Sequence, residues 1–554
     1  MSAKRYTSKH LENHMSTTQP GAPQEQRSRL LRSALGMSAI TILSRVLGLV
    51  REALRAAFLG TGAASDAFGI AFQLPNLLRR FMGEGAMSAG FVPVFARVQQ
   101  DQDSNAVRRL VYRSANVLLV IAGLTVLLGI FGAPWIIDFY VWLGSIGSTA
   151  DPVDPQTHSL TVSLTRWMFP YLFFVSMAAL AQGILNTYRI FWVSAFSAVL
   201  LNIAIIVGAL ALARGADPST AAYVFAGAVV VGGVFQLFFQ LPWIHRLGFR
   251  WRPSLRFRDP HLGEMGRLLL PATFSAGIYQ INVLVSQAIA YTLPQGSVSS
   301  LQYSSRLLEL TLGVFAVSVS TVILPRLSKE AGRGDKGAMR ETLAYALRLI
   351  AFICLPATVG LLLLRSPIVS VLFERGAFDQ ESLSMTTTAL LYHAPGLLFI
   401  ALGRVLVPAF YALKDTRRPM IAAGASMIVN IVLCYALRNE LRHGGIALAN
   451  SVSAVVTAFI LVFWLRSQLD GLGGSQWLKS ATRSLFASAL LVGVLWAIDN
   501  WLLDYESLHG FRGAPGLVLV VLACVVIYSG AVHLLGGSEP REFVNILRRR
   551  RARS

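Results

Sequence analysis

Charge is scarce in this chain: 14% of its 554 residues are Asp, Glu, Lys or Arg, against 54% hydrophobic. Soluble globular domains carry about a quarter charged residues, so a soluble globular protein is excluded. Acidic residues are the rarer sign, 28 against 49 basic. They form no paired D-x-D loop, and neither a P-loop, an H-E-x-x-H helix nor a Cys/His metal spacing occurs. Loops between apolar runs are too short to hold a catalytic domain, so an enzyme is not expected, and neither a metal nor a cofactor. The three cysteines, Cys354, Cys434 and Cys524, all lie inside apolar runs, which argues for small core residues rather than a disulfide framework. Residues 1–28 lack the apolar stretch of a cleavable signal peptide and read as a disordered polar extension. Alternation of polar and apolar residues, the mark of a membrane β-barrel, is also missing.

What is present is a series of apolar runs of about 20 residues, from about Leu35 to about Leu535, each long enough to cross a bilayer. They number about fourteen, near 34–58, 66–96, 114–142, 160–187, 191–213, 220–245, 265–293, 297–327, 341–365, 384–412, 418–437, 444–467, 482–502 and 514–536. The expected class is an all-α polytopic membrane protein. The net charge of +21 suggests nucleic acid at first, but its distribution argues against that partner. Lys and Arg collect in every second loop, as the positive-inside rule requires. Arg97–Arg113, His245–Arg258, Arg326–Arg340, Lys414–Arg418 and both tails are rich in them, whereas 60–65, 144–159 and 294–300 have almost none. Arg375, Arg438, Arg442 and Arg512 are exceptions. Both termini are therefore expected in the cytoplasm.

The chain repeats itself. F-V-P-V-F-A-R around Pro93 matches V-I-L-P-R-L-S-K around Pro325, 232 positions on. Arg108 and Arg340 share that offset, Pro134 and Pro367 are 233 apart, and Tyr188 to Asn202 matches Tyr411 to Asn430. Both Pro motifs fall on the cytoplasmic side, so the repeat is parallel and divides the chain into two pseudo-symmetric six-helix lobes plus two extra C-terminal helices. The expected divisions are 1–28 (tail), 29–258 (N-lobe), 259–468 (C-lobe), 469–540 (helices 13 and 14) and 541–554 (basic tail).

Several spans carry charges that lipid should not tolerate. An Arg at a helix centre costs roughly 2.5–3.5 kcal/mol on translocon scales, so such residues face a polar interior and mark a pathway. Arg45, Glu52 and Arg55 share one face of the first span, with Arg51 about 120° around from Arg45. Arg55 reads as a helix-end residue that snorkels. In the second span, Arg80 and Glu84 have the i, i+4 spacing of an ion pair, which leaves Arg79 pointing elsewhere. Pro75, Gly83 and Gly85 flank them where the helix could bend. In the eighth span, the repeat partner of the second, Arg306 and Glu309 are at i, i+3. Guanidinium from both lobes can clamp a pyrophosphate bidentately. Asp66 reads either as a helix N-cap or as a gate partner. Arg166 and Arg404 are weaker candidates, and His393 reads as a hydrogen-bonded core residue.

These residues carry a family resemblance. S-R-V-L-G-L-V-R-E-A (44–53), S-D-A-F (65–68), L-P-N-L-L-R-R-F-M-G-E-G-A-M-S-A-G-F-V-P-V (74–94), I-L-N-T-Y (184–188), L-P-R-L-S-K (324–329) and V-P-A-F-Y-A-L-K-D (407–415) resemble the MurJ/MviN lipid II flippases. The resemblance runs from about Leu30 to Arg541. It implies the multidrug/oligosaccharidyl-lipid/polysaccharide exporter fold, in the bacterial inner membrane. It implies a cargo of undecaprenyl-pyrophosphate-linked peptidoglycan precursor, lipid II, flipped outward for cell wall synthesis. Arg45, Arg51, Arg79 and Arg306 match the family's cavity arginines, Glu84 its second-span Glu, and Asp66 and Glu309 positions around cavity and gate. Helices 13 and 14 are expected to form a groove for the lipid tail. Relatives can carry Asp before the eighth-span Arg, where this chain has Ser305. Asn282 and Asn430 stand in spans that relatives use for sodium, without a clear carboxylate, so sodium coupling is not expected. The chain is expected to act as a monomer among membrane lipids, and cell-wall synthesis or division proteins remain open as partners. A flippase for another lipid-linked oligosaccharide and a non-transporting scaffold that binds the precursor remain alternatives, whereas a cationic-drug exporter would need an acidic cavity.

Overall fold

The structure, a computed structural model, describes residues 22–81, 90–100, 104–147, 153–253, 260–314, 316–472, 474–501 and 510–542. Among these residues all regular structure is helical. The first half runs α1 (Ala22–Leu59), α2 (Ala63–Arg79), α3 (Val92–Gln100), α4 (Ser104–Ser145), α5 (Pro155–Thr187), α6 (Phe191–Leu212) and α7 (Pro218–Arg246). The second runs α8 (Pro260–Tyr291), α9 (Ser297–Val314), α10 (Ala316–Gly332), α11 (Lys336–Leu363), α12 (Arg365–Phe373), α13 (Gln380–His393), α14 (Leu397–Ala412), α15 (Arg417–Leu441) and α16 (His443–Gln468). Two further helices follow, α17 (Gly474–Trp501) and α18 (Ala514–Leu534).

Helix stands at each of the fourteen expected positions, and ten helical stretches among the described residues are long and apolar enough to cross a membrane. Those that fall short are α1, α2 with α3, α8, and α9 with α10. Between them they supply much of the contact between the halves. Three differences from the sequence reading stand out. Helix α1 is described from Ala22 onward, inside the stretch expected to be disordered. Helix α2 runs through Pro75 without ending. The repeat also diverges locally, because α4 continues past Pro134, whereas the chain breaks between α11 and α12 just before Pro367.

The two halves pack in the same order. α2 lies on α5, α4 on α5, α5 on α7, α6 on α7 and α1 on α6. Correspondingly, α9 and α10 lie on α13 and α14, α11 on α14, α14 on α16, α15 on α16 and α8 on α15. The sequence repeat is thus a repeat of packing. α17 and α18 stand outside it, with α17 against α11 and α18 against α17. Loop aspartates cap several helices: Asp154 accepts from the Thr157 amide at 3.0 Å and Asp379 from the Ser382 amide at 2.9 Å. The amide of Thr157 holds the Asp154 carboxyl below the usual carboxylate range.

Two of the charges that break the positive pattern, Arg375 and Arg438, have structural employment, as does Arg365. Arg365 donates to the Leu362 carbonyl and Arg375 to the Val371 carbonyl, both at 2.6 Å. Arg438 donates to the Gly144 and Ile146 carbonyls of the other lobe, both at 2.7 Å. Each satisfies carbonyls left over at a helix end, where a cation also complements the dipole.

Candidate functional site

One end of the bundle, where α1 turns into α2 at Gly60–Gly62, is sealed between the lobes. The Ala377 amide donates to the Ala57 carbonyl at 2.8 Å, and the Thr61 and Ser382 hydroxyls meet at 2.9 Å. The Tyr303 hydroxyl donates to the Gly60 carbonyl at 3.2 Å, and Thr161 meets Tyr291 at 2.7 Å. Asp66 is the centre of this seal. One of its oxygens accepts from the Gly296 amide at 2.7 Å, the other from the Ser299 amide at 2.8 Å and the Ser299 hydroxyl at 2.7 Å. It is an N-cap, but of α9 in the opposite lobe; the residue preceding its own helix is Gly62. Asp66 therefore does not cap its own helix, and its hydrogen bonds join the two lobes.

Below the seal lies a cluster of charge. Glu52, 8% exposed, accepts from Arg51 at 2.6 Å and, across the lobes, from Arg306 at 3.3 Å, and its second oxygen lies 3.7 Å from Arg55. Arg306 also donates to Glu309 at 2.7 Å, on the expected i, i+3 spacing. Arg51 is fixed from behind by Asn202 of α6, whose side-chain oxygen accepts from it at 3.0 Å while its amide donates to the Ser44 carbonyl at 3.1 Å. Three guanidiniums around one carboxylate leave positive charge in excess. The Arg306 side chain keeps about a third of its surface open, at 36%.

Arg55 does not snorkel. It is 7% exposed, lies 5.2 Å from the ring centroids of both Phe68 in one lobe and Tyr303 in the other, and donates to the Ser65 carbonyl at 3.1 Å. A desolvated guanidinium between two aromatic faces is a cation–π contact from two sides. It serves the seal rather than an open cavity.

Arg45 and Arg79 are not drawn into the Glu52 cluster. Arg45 is exposed, and its guanidinium passes against Gly313 of α9, where a β-carbon would lie 2.5 Å from Nη1. Among the described residues it has no hydrogen-bond or ion-pair partner. Arg79 donates from Nε to Asn76 at 2.8 Å. Arg80 stacks over Tyr279 of α8 at 5.9 Å; Glu84, its expected partner, lies outside the described residues, as do Gly83 and Gly85. With a rise of about 1.5 Å per residue, Arg51, Glu52 and Arg306 stand about 10–14 Å from the sealed ends of their helices, and Arg45 and Arg79 about 21–24 Å. The four arginines therefore form two layers about two helical turns apart.

Among the described residues, the opposite end, which carries the basic loops, is joined by an apolar contact and an exposed ion pair. Met265 and Leu262 at the start of α8 pack against Phe91, Phe95 and their neighbours in the first half, and Arg97 pairs with Glu264 in an exposed position. Elsewhere, His393 sits at the break between α13 and α14 and shares a 2.7 Å hydrogen bond with Ser304. The Ser451 hydroxyl donates to the Tyr392 carbonyl that the break frees, at 2.6 Å. Asn430 accepts from Ser286 at 2.9 Å and donates to Asn450 at 2.8 Å. Arg166 is exposed beside Trp167, and the Arg404 carbonyl accepts from Ser320 at 2.9 Å. Sequence reasoning missed Asn202 and Arg438 as working residues. The first showed only as a repeat marker, the second only as an exception to charge asymmetry.

Comparison with known proteins agrees with this geometry. The sequence model of one family, described as Lipid II flippase MurJ, matches residues 55–508. A probable lipid II flippase MurJ of Vibrio cholerae is 36% identical over 487 residues, 85% of this chain and 90% of that protein. The lipid II flippase MurJ of Burkholderia cenocepacia is 33% identical over 506 residues, 90% and 95% of the two chains. A solved lipid II flippase MurJ in an inward closed conformation superposes with a TM-score of 0.75 at 26% identity, covering 92% of this chain and 99% of that one. An inward-facing multidrug-resistance transporter of the MATE family shares the fold alone, with a TM-score of 0.63 at 17% identity over 80% of this chain and 99% of that one.

Proposed function

The chain belongs to the lipid II flippase MurJ family, and we propose that Arg51 and Arg306 hold the pyrophosphate of lipid II once Glu52 gives way to it. The protein is a multi-pass membrane flippase that moves the lipid-linked peptidoglycan precursor between leaflets. The observation that carries the proposal is the bridge Arg51–Glu52–Arg306, in which one carboxylate occupies guanidiniums from both lobes. A carboxylate is a fair stand-in for a phosphate oxygen. Both accept charge-assisted hydrogen bonds in the same plane as the guanidinium fork.

In this reading the basic end faces the cytoplasm, because the positive loops lie there, and the sealed end faces outward. Arg45 and Arg79, nearer the basic end, meet the dianionic headgroup first. Arg51 and Arg306 receive it next, as the lobes close behind it. Displacing Glu52 removes the carboxylate that joins the lobes below the seal, so binding favours the outward-open state; a ligand shifts an equilibrium only through such differential contacts. Outward movement of each uncompensated negative charge also gains about 2.3 kcal/mol per 100 mV of membrane potential. Glu309 keeps Arg306 oriented, and Arg80 with Tyr279 lines the approach.

An apolar cavity of about 250 Å³ between α11, α14, α16 and α17, bordered by Leu347, Leu398, Val462 and Leu485, supports a lipid-tail role for α17, the first helix of the terminal pair. The protein works as a monomer in the inner membrane with both termini in the cytoplasm. Depletion followed by leaflet-specific labelling of lipid II tests the function. Accumulation in the inner leaflet is expected, and persistence of outer-leaflet lipid II in cells without a redundant flippase overturns it.

A further inference from the structure

The seal between the lobes contains a symmetry that the hydrogen bonds alone do not reveal. Gly144, near the end of α4, packs so closely on α8 that a β-carbon there would lie 2.2 Å from the Ala288 carbonyl oxygen. Gly376, between α12 and α13, packs equally closely on α1, with a β-carbon 2.3 Å from the Ala57 carbonyl oxygen. The two glycines are 232 positions apart and the two alanines 231. The first is the offset of the internal repeat and the second falls one residue short of it, so each contact is the other's counterpart, a lobe's glycine set against the opposite lobe's alanine carbonyl.

The copies differ in detail, which argues that the close approach itself is the common feature. Gly144 is helical, whereas Gly376 has φ +58°. On the first seam the Gly144 and Ile146 carbonyls are held by Arg438, itself 3% exposed, and Tyr435 donates to the Leu143 carbonyl at 2.6 Å. On the second, the Ala377 amide donates to the same Ala57 carbonyl that Gly376 approaches, and Gly60 packs on the Ala377 carbonyl in turn, at 2.3 Å from an added β-carbon.

We propose that these two glycine seams are the paired latches of the outer gate, and that a single methyl group at either one biases the lobes toward the outward-open state. Carbon–oxygen contacts ordinarily settle at about 3.3–3.6 Å, so an added β-carbon requires a retreat of about 1 Å on the closed side. Nothing opposes it once the lobes have parted. That contact penalty falls on the closed state only, which is the condition for a population shift; the strain of a side chain at φ +58° in Gly376→Ala is common to both states and cancels. The inference is independent of the nature of the cargo.

The test uses the full-length chain in lipid nanodiscs, with Cys354, Cys434 and Cys524 replaced by Ala and Ser65→Cys as the reporter. Ser65 is fully buried beneath the seal, at 0% exposure. Its reaction rate with a charged maleimide reads gate opening. Gly144→Ala and Gly376→Ala should each raise that rate about tenfold or more, as overpacking penalties imply, and the double variant further. Gly132→Ala, on the same helix, should not, since a methyl there meets only Ile136 at 3.9 Å. Arg438→Gln releases the first seam without adding an atom to it and should raise the rate even if Gly144→Ala folds poorly. Parental rates in Gly376→Ala and Arg438→Gln overturn the proposal, and a response from one seam alone overturns the pairing.

Discussion

Glu52 and Arg306 meet across the two lobes at 3.3 Å although 254 residues separate them in the chain. The contact joins α1 to α9 just below the seal, and its removal is informative because both partners have other neighbours. Glu52→Gln leaves Arg51, Arg55 and Arg306 without their shared carboxylate. Breaking a buried ion pair from one side typically costs about 3–5 kcal/mol, so the lobes should part more readily. Faster labelling of Ser65→Cys, together with failure to support growth, is the expected outcome. The exchange Glu52→Arg with Arg306→Glu should restore protection of Ser65→Cys but not growth, since it moves the cargo-binding cation.

Asp66 caps a helix that belongs to the other lobe. Loss of an N-cap carboxylate costs about 0.5–2 kcal/mol, and here that loss is felt only when the gate is closed. Asp66→Ala should therefore accelerate labelling of Ser65→Cys by about two- to thirty-fold. Unchanged labelling would mean that the cap does not contribute to closure.

How far was all this legible beforehand? Arg45, Arg51, Arg79 and Arg306 stand out in the sequence because a guanidinium in an apolar run is costly wherever the helix lies, but only Arg51 and Arg306 of the four meet at Glu52. The reading of His393 as a hydrogen-bonded core residue likewise agrees with its bond to Ser304. Asp66 was harder. Its partners are the amides of Gly296 and Ser299, and no local pattern reveals which helix start will fall opposite. Arg55 was misread because helix-end position suggested solvent, whereas burial came from Tyr303 of the other lobe. The repeat disclosed that Pro93 and Pro325 correspond, but the offset acquired a mechanical meaning only when Gly144 and Gly376 were found against Ala288 and Ala57.

Asn202 positions Arg51 without being open to the cargo. A hydrogen bond to a charged group contributes about 1.5–3 kcal/mol, and Asn202→Leu frees Arg51 to point elsewhere. Affinity for lipid II should fall roughly tenfold or more, while labelling of Ser65→Cys stays at the parental rate. A change in labelling with no change in affinity would make Asn202 a packing residue instead.

The basic end should open before the sealed end. Its exposed Arg97–Glu264 pair is screened by solvent, whereas the sealed end is joined by buried hydrogen bonds. The Arg97 side chain, by its hydrogen bond to Glu264, holds that carboxyl below the usual range. A depressed carboxyl keeps its contact above its own pKa and loses it only as the pH falls through that value. Accessibility from the basic end of a cysteine placed at Leu269 should therefore be flat across neutral pH and rise only in acid. Glu264→Gln should raise it at neutral pH, and a rise near neutrality in the unsubstituted pair would show that another group controls the contact.

The central claim is that lipid II competes with Glu52 for Arg51 and Arg306. The most direct test is the affinity of the purified full-length protein for lipid II, measured for the parent, Arg306→Ala and Glu52→Gln. The account predicts that Arg306→Ala weakens binding about tenfold or more, as loss of a charge-assisted hydrogen bond requires, and that Glu52→Gln binds at least as tightly as the parent. Parental affinity in Arg306→Ala, or weakened binding in Glu52→Gln, would contradict it.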